Sequence, residues 1–207
     1  MRRLILSAGM VMLSATLASA ATLYLSVETD KDVYGLGETV NWTVFAWAST
    51  GDNAGVALLG VTLFEDRDEL LSPAETTGGG PTFELLDTEY GVDEWFALQS
   101  PGTPNPAGGE LADIVANQNP AFPLYDIGND GSPHLFAKGS YVPTQLGDHT
   151  LRPSVTGANY WPDEAGSNAV AFETVSTTPK TFTVTPEPAT LMLVGLGGIA
   201  LLHRRRS

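Results

Sequence analysis

The sequence predicts an all-β fold: a single antiparallel β-sandwich over residues 21–185, flanked by two short terminal segments. Three observations lead to this fold class. Apolar and polar residues alternate with the period of a strand in several segments, and Gly, Pro, Asn and Asp cluster between those segments. No segment shows the stripe of an amphipathic helix. A body of this length can bury one hydrophobic core, so we expect one domain.

The clearest strands lie in the first part of the body. Leu23, Leu25 and Val27 alternate with polar or amphipathic neighbours in an opening strand. Residues 38–48 alternate with apolar groups on both faces, which is typical of a central strand. Residues 56–64 form a further long apolar run, and we interpret it as a third strand.

The rest of the body is divided between shorter strands and loops. Because residues 30–37 are rich in turn residues, we interpret them as a connection. We predict further strands at residues 82–86, 150–155, 169–174 and 180–185. Dense Gly, Pro and Thr indicate long surface loops at residues 72–81 and 99–109. Residues 110–117 fit either a short helix or a strand.

The charge balance and the cysteine count exclude several partners and chemistries. The formal net charge is −14, and residues 21–185 alone hold 23 acidic against 5 basic side chains. Such a surface repels nucleic acid and anionic lipid, so we expect no nucleic-acid partner. The chain has no cysteine, which excludes disulfides, thiol catalysis and thiolate metal sites.

The first 20 residues have the composition of an export signal. Arg2 and Arg3 precede an apolar core over residues 4–17, and small residues follow it. We therefore predict that a signal peptidase cleaves between Ala20 and Ala21.

The last 22 residues contain three pieces in a fixed order. Pro186, Glu187 and Pro188 come first, an uncharged apolar run covers residues 189–202, and three arginines follow. The 14 residues of the run span only about 21 Å as a helix, against about 30 Å for the hydrocarbon core. We therefore predict a short transmembrane helix that holds the chain temporarily, with its arginines on the cytoplasmic side.

This tail resembles the PEP-CTERM sorting signal of bacterial envelope proteins. The residues that carry the resemblance are Pro186, Glu187, Pro188, Ala189, Arg204, Arg205 and Arg206. The resemblance implies that a membrane protease-transpeptidase of the exosortase type cuts near the Pro-Glu-Pro motif. It also implies a protein that is exported, anchored transiently in the membrane, and then placed at the cell surface or in the extracellular matrix, in bacteria that make exopolysaccharide. The alternative is a plain C-terminal anchor helix.

A second resemblance concerns the body. Residues 33–40 and 63–71 are similar in rhythm to cohesin-like and other immunoglobulin-like bacterial sandwiches. This resemblance implies the fold class only, and we transfer no binding residues from these families to this chain.

The best metal candidate is the loop with Asp126, Asn129 and Asp130. Oxygen ligands before a glycine suit calcium, but the twelfth position of an EF-hand would be Ala137 instead of glutamate. An irregular calcium site and an ordinary turn are both open, and no other cofactor is expected.

Two further groups have alternative interpretations. Glu65, Asp66, Asp68 and Glu69 offer the paired carboxylates that glycosidases use, although acidic runs at strand ends are usually a solvated edge. The adjacent Tyr160 and Trp161 form either an exposed platform that stacks on sugar rings or a hydrophobic plug at the end of the sandwich.

Two functions follow from these features. The leading one is a non-enzymatic protein of the cell surface or matrix, associated with exopolysaccharide. The alternative is a module that binds a carbohydrate or a protein. A hydrolase has no positive signal, because His134, Ser140 and His149 lie in no nucleophile-elbow pattern, and we assign no catalytic residue.

Overall fold

The computed structural model describes residues 21–51, 53–70, 98–105, 109–117, 131–163 and 168–186, and these residues contain strands and no helix. The strands are β1 (Thr22–Thr29), β2 (Val33–Gly35), β3 (Val40–Ala48), β4 (Val56–Glu65), β5 (Leu98–Asn105), β6 (Glu110–Asn117), β7 (His134–Tyr141), β8 (Gly147–Tyr160), β9 (Val170–Ala171), β10 (Thr174–Thr178) and β11 (Lys180–Thr185). The predicted all-β class is confirmed.

The strands form two sheets that enclose one hydrophobic core. Four strands lie in the order β10-β1-β3-β7, and the other sheet has the order β2-β11-β8-β4-β6-β5, with β9 paired to β8. Most neighbours are antiparallel, but β1 pairs with β10 and β11 pairs with β2 in parallel. Apolar side chains of both sheets meet in the core, among them Leu23, Trp42, Leu63 and Phe182.

The four-stranded sheet follows the predicted alternation. In β1, Leu23, Leu25 and Val27 are buried, and the residues between them point outward. β3 alternates in the same way, and it lies between β1 and β7. Because β3 has a partner on each edge, its central position agrees with the sequence prediction.

A close approach between two strands of this sheet requires glycine. Gly139 lies directly opposite Trp42 in the register of β3 and β7. A Cβ at position 139 would come within 2.2 Å of the Trp42 ring. The indole therefore fills the space that any side chain at position 139 would need.

The structure also corrects parts of the sequence prediction. Residues 30–37 contain the short strand β2, and the loop predicted at 99–109 is largely β5. Residues 110–117 are strand β6, which settles the open alternative. The strand predicted at 169–174 is divided into β9 and β10, which pair with β8 and β1 respectively. The strand predicted at 82–86 and the loop at 72–81 lie outside the described residues.

Candidate functional site

The last described strand leads directly into the predicted sorting signal. β11 ends at Thr185, whose carbonyl oxygen accepts a hydrogen bond from the Leu36 amide at 2.9 Å. The Thr185 hydroxyl donates to the Tyr34 carbonyl at 3.1 Å, and the Thr183 amide donates to the Asp32 carbonyl at 2.9 Å. The backbone is therefore held in the sandwich up to the residue before Pro186.

The partner strand β2 is fixed by a carboxylate on the preceding turn. Asp30 Oδ1 accepts hydrogen bonds from the Tyr34 hydroxyl at 2.6 Å and the Asn41 amide at 3.0 Å, and Oδ2 accepts one from Asn41 Nδ2 at 3.2 Å. Burial acts to raise the pKa of Asp30, but these hydrogen bonds outweigh it and the pKa lies below its ordinary value. Burial, followed by the bond to Asp30, raises the pKa of Tyr34 to about 12.

Two ion pairs involve residues on either side of β2 in the chain. Lys180 on β11 pairs with Asp32, and Lys31 pairs with Glu38 across the β2 turn. Contact with Glu38 raises the pKa of Lys31, and contact with Lys31 lowers the pKa of Glu38. Pairs this exposed contribute little to stability, so the backbone hydrogen bonds carry most of the attachment of β11 to β2.

A buried acid–histidine pair lies between β4 and β8. Glu65 and His149 are 2% and 0% exposed, and Glu65 Oε1 lies 2.8 Å from His149 Nδ1. His149 Nε2 lies 2.9 Å from the Gln145 carbonyl, which can only accept, so Nε2 carries a proton. One further proton must then lie between Nδ1 and Oε1.

The other oxygen of Glu65 and the neighbouring acid are also satisfied. Glu65 Oε2 accepts the amides of Arg67 and Glu69, each at 2.9 Å. The Glu69 carboxylate accepts from the amide and the hydroxyl of Thr144. The expectation of a solvated acidic edge is therefore wrong for Glu65 and Glu69, because hydrogen-bond donors from distant parts of the chain meet both carboxylates in the interior.

One tyrosine next to this network has no hydrogen bond. The buried Tyr141 hydroxyl has no partner within the described part of the chain. Burial raises its pKa, and the carboxylates of Glu65, Glu69 and Asp66 raise it further. The Tyr141 phenol therefore stays protonated.

Glu65, Asp66 and His149 could each offer a metal one ligand atom, within 4.8 Å of one another. However, Glu65 and His149 are already in direct hydrogen-bond contact, and Asp66 Oδ1 accepts the Thr150 amide at 2.8 Å. An ion would have to separate the first pair and replace the proton between them. The arrangement fits a structural hydrogen-bond network better than a metal centre or a catalytic acid pair.

The structure buries the candidate platform of Tyr160 and Trp161. Each residue is 9% exposed. Tyr160 packs on Phe172 with ring centroids 4.9 Å apart, and Trp161 packs with Ala54 and other small apolar residues. The exposed platform is therefore a wrong interpretation, and the pair forms the hydrophobic plug, because packing partners from two other segments cover it.

The remaining predicted residues lie mostly outside the described residues. This holds for the calcium candidates Asp126, Asn129 and Asp130, for Ala20, and for the sorting residues from Glu187 onward. Ala21 is fully buried immediately before β1. The part of the chain that the structure describes contains no helix with the length and apolar character that a membrane crossing requires.

Comparisons with known proteins identify the tail and the fold. Residues 184–207 match the PEP-CTERM protein-sorting motif, which confirms the resemblance of the tail to this sorting signal. No curated protein matches the chain. The seventh ScaB type I cohesin from Pseudobacteroides cellulosolvens has a TM-score of 0.51 and 15% identity, over 79% of this chain and 94% of that chain. A chain of a type II cohesin–X–dockerin complex from Acetivibrio cellulolyticus also gives 0.51 and 15%, over 79% and 99%. The body thus has the β-sandwich fold of cohesin modules.

Proposed function

We propose that this chain is an exported envelope protein with three parts: a signal peptide over residues 1–20, a sandwich over 21–185, and a sorting signal over 186–207. A signal peptidase removes the first part. An exosortase-type membrane protease-transpeptidase then cuts near the Pro-Glu-Pro motif, while the apolar run holds the chain transiently in the membrane. The observation that carries this proposal is the sorting-motif match at residues 184–207, which begins within the last strand of the folded body.

The body is then a non-enzymatic module displayed at the cell surface or in the matrix, among exopolysaccharide. The buried acid–histidine pair supports a non-enzymatic role, because both nitrogens of His149 are engaged inside the protein. The acidic composition suits a displayed module, since like charges keep such a protein soluble.

A second candidate function is capture of a carbohydrate or protein partner. The observation that favours it is the cohesin fold, since one of the similar structures is named as a complex of a cohesin with a dockerin. In this alternative the sorting signal delivers a binding module, and the sandwich surface selects the partner.

Replacement of the motif tests the sorting proposal. We expect a chain with Pro186, Glu187 and Pro188 changed to alanine to insert into the membrane but to remain uncut, because the extended acidic recognition element is lost. Fractionation and intact mass of the product measure this in a bacterium that contains the exosortase. Pro179→Ala, at an exposed proline just before β11, is the matched control and should be processed normally. Normal cutting of the triple variant would show that the tail is only an anchor.

A further inference from the structure

The outward side of the four-stranded sheet carries aromatic residues. Strand alternation that buries Leu23 and Val44 turns Tyr24, Phe45 and Trp47 away from the core. Leu135 on β7 lies opposite Phe45 on the same side. We call these four residues, Tyr24, Phe45, Trp47 and Leu135, the aromatic face. All four are only partly buried.

The strand register brings the three rings together. Tyr24 lies directly opposite Trp47, and their ring centroids are 5.5 Å apart with an interplanar angle of 14°. Phe45 lies two residues before Trp47 on the same strand, which places it about 7 Å away on the same side. Tyr24 and Trp47 are only partly buried, and their hydroxyl and indole N–H are groups that can hydrogen-bond a ligand.

Hydroxyl side chains surround these rings. Ser26 lies opposite Phe45, and Ser176 and Thr178 on β10 lie opposite Tyr24 and Ser26. Every residue of β10 is exposed, so its hydroxyls are accessible beside the rings.

The aromatic face is also unusual in charge. Among the described outward residues of its four strands, only Glu28 and Lys138 are charged, and they lie one row further along, on either side of Thr43. The chain as a whole has a formal net charge of −14. The described strands of this sheet therefore present one acidic and one basic side chain outward, in a chain that is strongly acidic as a whole.

We propose that the aromatic face binds a neutral polysaccharide. The C–H side of a sugar ring stacks on an aromatic ring, and sugar hydroxyls exchange hydrogen bonds with the Tyr24 hydroxyl, the Trp47 N–H and the flanking Ser and Thr side chains. An uncharged ligand suits a sheet whose described outward charges are one acid and one base, whereas the acidic chain repels an anionic polymer. The inference rests on the proposed function insofar as the module must be outside the cell to meet such a polymer.

Binding of defined polymers to the full chain in mild detergent tests the proposal. The probes are dextran, hydroxyethylcellulose and guar galactomannan as neutral polymers, with alginate as the acidic one, measured by affinity electrophoresis and calorimetry. We expect binding to a neutral polymer and weaker or no binding to alginate. Trp47→Ala should weaken binding about tenfold or more through loss of a stacking ring. Val33→Ala, at an exposed apolar residue of the other sheet, is the matched control and should leave binding unchanged.

Urea unfolding of each variant separates lost binding from lost folding. Ser176→Arg provides a second variant, because it lies on exposed β10 beside Tyr24 and obstructs the aromatic face without touching the core. It should weaken binding several-fold with an unchanged unfolding midpoint.

Four results would overturn the proposal: no neutral polymer binds, alginate binds as well, binding survives both variants, or Trp47→Ala abolishes self-association in sedimentation instead of polymer binding. The last result would identify a second copy of the chain as the occupant. Processing of the tail does not involve Trp47, so failure here leaves the sorting proposal intact, and the motif variants test that proposal separately.

Discussion

At the scale of single residues, Glu65 shows that a residue of an acidic run can be buried and can hydrogen-bond in the core, here with His149. The two residues are 84 positions apart in the chain. The His149 ring also stacks on Phe182, with centroids 5.3 Å apart and an angle of 12°. The pair therefore connects three strands within the core. The contact between Glu65 and His149 joins β4 to β8, and the stacking of His149 on Phe182 joins β8 to β11.

We expect Glu65→Ala to lower the free energy of unfolding by about 3–5 kcal/mol, because it leaves buried donors without an acceptor. Glu65→Gln should cost only about 1 kcal/mol. The glutamine oxygen can accept the two backbone amides, and its amide can donate to a neutral His149 Nδ1. Urea unfolding measures both variants. Equal losses for the two would mean that the pair needs its charges and not only its hydrogen bonds.

At the scale of elements, β2 and β11 depend on each other. β2 has only three residues, and its parallel pairing with β11 runs from Val33 to Gly35. A strand this short has little stability of its own. Its position depends on Asp30, which holds the side chain of Tyr34 and the backbone of Asn41.

We expect Asp30→Asn to destabilise the protein at pH 7, with a difference from the parent that shrinks as the pH falls below about 4. The pKa of Asp30 is lowered in the folded state, so its contribution is present above the ordinary carboxyl pKa and is lost on acidification. Urea midpoints of both proteins from pH 7 to pH 3 measure the effect. In a Tyr34→Phe background the pH dependence should be smaller, because one donor to Asp30 is gone. A pH-independent difference would contradict the role of the ionised carboxylate.

Elements with a regular period could be predicted, and elements created by pairing could not. β1, β3, β4 and β11 have clear alternation or long apolar runs. β5 contains two prolines and a glycine, which argue against a strand, but it lies at the edge of the described sheet, where proline is tolerated. β9 and β10 join different sheets, and local sequence does not encode that separation.

The same distinction applies to the candidate sites. The sorting motif is a continuous stretch, so the sequence was sufficient to identify it. The pairing of Glu65 with His149 and of Tyr24 with Trp47 depends on strand register. Alternation could have indicated that Trp47 faces outward, but only the fold shows Tyr24 beside it.

At the scale of the whole molecule, charge is the dominant feature. A formal net charge of −14 on 207 residues produces self-repulsion that opposes the compact state. The described ion pairs involve few of the carboxylates, and they lie largely at the surface. Counterions should therefore matter more to this protein than to one with balanced charges.

We expect millimolar calcium to raise the melting temperature modestly more than magnesium does at equal ionic strength. The reason is the loop at Asp126, Asn129 and Asp130, whose oxygen ligands suit calcium, and a ligand at a hundredfold its Kd adds about 2.7 kcal/mol. Differential scanning calorimetry measures the shift, and Asp130→Asn should reduce the difference between the two ions. Identical shifts with calcium and magnesium would mean that the ions only screen charge.

The hydrogen bonds at Thr185 have a consequence for the lifetime of the mature protein. A cut within the Pro-Glu-Pro motif leaves at most about 10 Å of free chain beyond the end of β11. At the other end, Ala21 is fully buried, so removal of residues 1–20 leaves almost no free chain there. Exopeptidases digest from disordered termini. A chain end that is hydrogen-bonded in a sheet is a poor substrate for them, because it does not extend into an active site. The two cleavages proposed above would therefore leave both chain ends close to the sandwich, and we expect such a protein to resist exopeptidases.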